Sequence, residues 1–138
     1  MTAAIHPWRR FRAHDGWRLV RHDGGERGVT LFAERKVSLR RGLTQVQRRC
    51  TILHECLHVE RGPVLNGMLE AEELRVRRET ARLLMPDIRV VGDALAWAQS
   101  NEEAAHELWV TPDCLADRLG ALHPVERHWL RRRLAEVD

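Results

Sequence analysis

Between Thr44 and Gly62 the chain contains no glycine and no proline. The spacing predicts one helix over this stretch, with Thr44 as its N-cap and Gly62-Pro63 ending it near Arg61. Ile52, Leu53, Cys56, Leu57 and Val59 cover most of the circumference of that helix. A helix that is apolar on nearly every side has to be buried, so the rest of the domain must be built around it. His54, Glu55 and His58 nevertheless stand among these apolar residues. Polar groups in a buried helix are costly unless a metal or hydrogen bonds satisfy them.

The three read H-E-x-x-H. Histidines four apart lie on one helical face, one turn above the other, so both rings can reach one metal ion. Glu55 sits about 100° round from His54, near enough to touch a water on that ion. Two imidazole ligands and a carboxylate base are the donor pattern of a zinc hydrolase. Chance would produce this pattern about 0.04 times in a chain so composed, and a pair of idle surface histidines does not suit so apolar a setting.

The surrounding sequence suits a small α+β domain. At 138 residues the chain fits one domain, 1–138, with one sizeable core. Its 43% hydrophobic and 31% charged residues are those of a globular protein. No apolar run is long enough for a membrane span, and the first residues carry no signal-peptide core. Three cysteines, an odd and sparse set, fit a reducing cytoplasm. A net charge of +3 is only mildly basic and does not by itself call for nucleic acid. Residues 1–14 suit a short first helix. Residues 17–21 and 29–40 alternate around Asp23-Gly24-Gly25 as a small antiparallel sheet whose last strand, Lys36–Arg40, precedes the motif helix. Residues 68–85 read as a second strong helix stopped by Pro86, and the rest as helices over about 87–100, 102–109, 112–120 and 124–136. This divides the chain into a core, 1–86, and a helical C-terminal extension, 87–138.

A catalytic zinc takes three protein ligands and keeps a fourth position for water. In the 68–85 helix the apolar stripe is Leu69, Val76, Thr80, Leu83 and Leu84, and Glu73 falls inside it. An acid directed at a core needs a partner, which makes Glu73 the leading third ligand. Glu72, at the edge of the stripe, comes next, while Cys50, one turn before His54, is more naturally core filler.

At this point the chain resembles the ImmA/IrrE family of metallopeptidases. The likeness is carried by His54-Glu55-x-x-His58, by Glu72-Glu73 and by Ala81-Arg82-Leu83-Leu84-Met85-Pro86, and extends from Gly28-Val29-Thr30 to about residue 120. That family places its third metal-binding glutamate where Glu73 stands. The stretch from Glu107 to Asp113, with Leu115 and Arg118-Leu119, is similar to the helix-turn-helix-like tail that follows the catalytic core there.

The resemblance implies a zincin-like core in which an HExxH helix and a glutamate-bearing helix pack on a short sheet. It also implies a zinc endopeptidase with one Zn²⁺ per chain, held by His54, His58 and Glu73. Glu55 would be its catalytic base, accepting the proton of the attacking water and passing it to the leaving amine. The implied partner is a regulatory protein, such as a helix-turn-helix repressor of a phage or mobile element. The chain has no tyrosine, so an oxyanion donor beyond the metal is sought at His106, His123 or an arginine. An extended substrate would pair with an edge strand, for which Lys36–Arg40 is the candidate. The alternative is a non-enzymatic zinc-containing regulator that binds DNA or a protein through its helical tail. Arg131-Arg132-Arg133 could touch phosphates there, but Trp109, Leu115, Leu119, Leu122, Trp129, Leu130 and Leu134 look like packing residues, so nucleic acid is the less favoured partner.

Overall fold

The computed structural model describes residues 5–136. The chain forms two compact units, Met1–Thr80 and Ala81–Asp138. Among the described residues it is α+β, with seven α-helices and one three-stranded mixed sheet.

The first unit opens with a short helix α1 (Pro7–Arg12); the first four residues of the expected 1–14 helix lie outside the described residues. Three strands follow, β1 (Arg18–His22), β2 (Gly28–Leu31) and β3 (Lys36–Arg40). Next come the motif helix α2 (Gln45–Arg61), a 3-10 turn at Asn66–Met68 and helix α3 (Leu69–Leu84). Thr44 caps α2 in a reciprocal box, its hydroxyl accepting from the Gln47 amide while the Gln47 side chain accepts from the Thr44 amide. Gly62, with φ of 81°, ends it.

The sheet departs from the antiparallel one expected. Its order is β1-β3-β2, with β1 parallel to β3 and β2 antiparallel to β3. Asp23-Gly24-Gly25 does not make a hairpin of β1 and β2. The loop instead arches past the end of β3, where the Arg40 guanidinium donates to Gly25 O and the Arg41 amide to His22 O. β3 takes the centre because Val37 and Leu39 are fully buried. They form a core with Phe11, Ile52 and Cys56, flanked by Trp8, Trp17, Leu19 and Val59. A central strand has no free edge, so Lys36–Arg40 cannot be the docking strand; β2 is the edge beside α2.

Helix α3 also differs in phase from expectation. Its buried positions in this unit are Glu72, Val76 and Thr80, one turn apart, while Leu69 is 54% exposed. Glu72 is thus inside the stripe and Glu73 on its flank, the reverse of the sequence reading. Burial of Glu72 is supported by Arg61, which donates two hydrogen bonds to its carboxylate at 2.7 and 2.8 Å.

The second unit holds α4 (Ile88–Trp97), α5 (Asn101–Leu108), α6 (Pro112–Leu119) and α7 (Pro124–Ala135), each begun by a side-chain cap from Asp87, Ser100, Thr111 and His123 respectively. Gly92 lets α4 and α7 approach: a Cβ there would lie 2.5 Å from the Trp129 ring. Arg118, fully buried, donates to Met85 O and forms a two-pronged pair with Glu126. Trp109, expected to pack, is half exposed at the left-handed end of α5, with φ of 59°. No helix among the described residues is long and apolar enough to cross a membrane.

Candidate metal centre

Helix α2 sets the site. Ile52, Leu53, Cys56 and Leu57 are buried on the rest of its surface, so His54 and His58 are held one turn apart with ring centroids 5.0 Å from each other. Helix α3 supplies the third group. Glu73 Oε1 lies 2.8 Å from His54 Nε2, and Oε2 lies 2.8 Å from His58 Nε2. One carboxylate therefore spans both imidazoles, and one donor atom from each residue lies within 4.8 Å of the others.

The electrostatics follow from that triangle. Hydrogen bonds from His54 and His58 hold the Glu73 carboxyl well below the usual carboxylate range. Burial works against charge on His58, but its bond to Glu73 and the charges of Glu55, Glu73 and Glu72 outweigh it and raise its pKa. Two imidazole nitrogens and a carboxylate, converging from two helices, fit a three-ligand zinc site. A divalent cation in place of the two shared protons would be held by the same three groups.

Glu55, the position after His54 on α2, is 5% exposed. Burial pushes its carboxyl up, against the pull of His54 and His58. Strand β2 closes over it. Thr30 Oγ1 lies 3.3 Å from Glu55 Oε2 and 3.4 Å from Glu55 O, to one of which it donates. At Gly28 a Cβ would fall 2.5 Å from Thr51 Cγ2 and 2.9 Å from Glu55 Cγ. Only a glycine lets the strand come this near Glu55.

The remaining expected residues lie elsewhere. Glu72 belongs to Arg61. Cys50 is buried. His106 stands exposed on α5, and His123 is occupied as the N-cap of α7, accepting from the Val125 amide. Gly28 and Thr30 enter the sequence reading only as the start of the family resemblance, although a glycine opening a strand is the signal of a close backbone approach.

A second group, His14, Cys56 and Glu60, also brings donor atoms together. It is a polar knot between α1 and α2. Arg10 occupies both Glu60 oxygens at 2.8 and 2.9 Å, and holds that carboxyl down to about 2. Burial pushes the Cys56 thiol up to about 12, so it remains a protonated donor to Glu60 and a poor metal ligand.

No protein-family model, curated protein or solved structure matches this chain. The site has to be read from its own geometry.

Proposed function

We propose that the chain is a zinc-dependent endopeptidase with a zincin-like core, of the kind found in the ImmA/IrrE family, and that it cuts a regulatory protein in the cytoplasm. A helix-turn-helix repressor of a phage or mobile element is the substrate this reading favours. The observation that carries it is the bridging of both motif imidazoles by Glu73, at 2.8 Å each, with Glu55 on the next position of the same helix.

Bound at His54, His58 and Glu73, zinc would supply Lewis acidity for a peptide carbonyl and for water. The other parts belong to the chain. Glu55, steadied by Thr30 at Oε2, would take a proton from the attacking water and deliver it to the leaving nitrogen. The apolar wall of α2 keeps Glu55 out of bulk solvent, which strengthens its interaction with the developing charge. The free side of β2 offers backbone donors and acceptors to an extended peptide, a role that the central β3 cannot fill.

The regulator reading has less support. The exposed faces of α5 and α6 carry Glu102, Glu103, Glu107 and Asp113, a charge that repels phosphate. The proposal is tested with Glu55→Gln as a trap. The variant should retain about one zinc and capture a protein that the wild type cleaves, with cleavage slowed roughly 10²–10⁴-fold. A variant that cleaves at the wild-type rate would remove Glu55 from the chemistry.

A further inference from the structure

Beside the proposed zinc site the first unit opens into a hollow of about 450 Å³, within the roughly 300–1,000 Å³ typical of ligand clefts. His58, Glu70, Glu72 and Glu73 supply its polar lining, and Phe32, Pro63, Val64 and Leu69 its apolar lining. A second hollow, of about 590 Å³, lies along the same segment and shares Pro63 and Val64 with the first. Around both, Leu65 is 81% exposed, Met68 55% and Leu69 54%. Large apolar side chains left in water over a run of five residues are unusual on a chain otherwise so charged.

Three features aim this surface at the reacting bond. The first hollow shares two residues with the triangle of His54, His58 and Glu73, so whatever enters it lies against the site. Phe32 directly follows β2, and a peptide paired along that edge is led to the hollow. The Phe32 ring is itself set by an edge-on contact with Trp17, centroids 5.9 Å apart. Finally, the one buried charge in the wall, Glu72, is neutralised by Arg61, and Glu70, also in the lining, is exposed to solvent.

We infer that residues 62–69 and Phe32 form the specificity surface of the peptidase, admitting a large apolar side chain (Leu, Met or Phe) of the substrate next to the bond that is cut. This rests on the peptidase reading. Leu69 is the residue to test, because it is exposed and an acid in the first turn of α3 suits the helix.

A degenerate peptide pool is offered to zinc-loaded Glu55→Gln, captured peptides are sequenced, and the same pool is then cut by the wild type. Expected is about tenfold or greater enrichment of Leu, Met and Phe in captured peptides and at one fixed position beside the cut. Leu69→Asp should abolish that enrichment while keeping its zinc. Cuts without an apolar preference, or an enrichment untouched by Leu69→Asp, overturn the inference and leave the peptidase standing. Apolar peptides captured by Glu55→Gln but never cut by the wild type keep the binding surface and sink the peptidase. Failure to capture or cut any peptide overturns both. Self-association that Leu69→Asp abolishes, without peptide capture, would make the surface an interface between copies and overturn the inference.

Discussion

Thr30 bears directly on how the proposed base works. Its hydroxyl is the side-chain partner that β2 offers Glu55, at 3.3 Å, and a hydrogen bond to a charged group is worth about 1.5–3 kcal/mol. Thr30→Val should therefore lower kcat by roughly tenfold to a hundredfold with zinc content and KM little changed, and Thr30→Ser should restore most of it. Equal loss in the valine and serine variants would show that Thr30 only packs. The pairing of His54 with His58 was legible at this scale because helical geometry alone places the two rings together. Helical phase does not separate Glu73 from Glu72. The expected stripe holds at Val76 and Thr80 but departs in the first turn of α3, since Leu69 is exposed and Glu72 is buried through its pairing with Arg61. A partner on another helix leaves no trace in local spacing.

Among the elements, α2 could be bounded from sequence because Thr44 and Gln47 cap it and Gly62-Pro63 stops it. The last four helices open on the same kind of signal, from Asp87, Ser100, Thr111 and His123. The order of the strands was not legible. Alternation says which face of a strand is buried, whereas pairing depends on which strand the core needs in the middle, here β3. That one error moved the expected docking edge from β2 to β3. In the second unit, Arg118 ties α6 to α7 through Glu126 and to Met85 O. Arg118→Ala would leave Glu126 without its main partner and should destabilise this unit by about 3–5 kcal/mol, measured by denaturant unfolding. A loss below about 1 kcal/mol would mean that the pair is no more than a surface one.

For the molecule as a whole, acid should loosen the fold. Arg118 first, then the His123 amide, hold the Glu126 carboxyl down to about 2, from an ordinary 4.5. The folded state thus binds this proton less readily than the unfolded chain. The pair's stabilisation is complete above pH 4.5 and is lost as pH falls towards about 2, an effect on the order of 2 kcal/mol. Unfolding free energy followed across that window should fall in the wild type and fall less in Glu126→Gln; equal slopes would remove Glu126 from the acid response. Fold class was readable at this scale from the run of periodic segments; the division expected at 86/87 lies six residues past the boundary of the two units, which falls inside α3 at Thr80/Ala81.

The central claim is a single zinc held by two turns of α2 and one acid of α3, and metal content tests it most directly. Purified wild type and Glu55→Gln should each carry about one zinc per chain, and Glu73→Ala should lose most of it. Wild type that takes up no zinc after supplementation, or Glu73→Ala that keeps it all, would contradict the account.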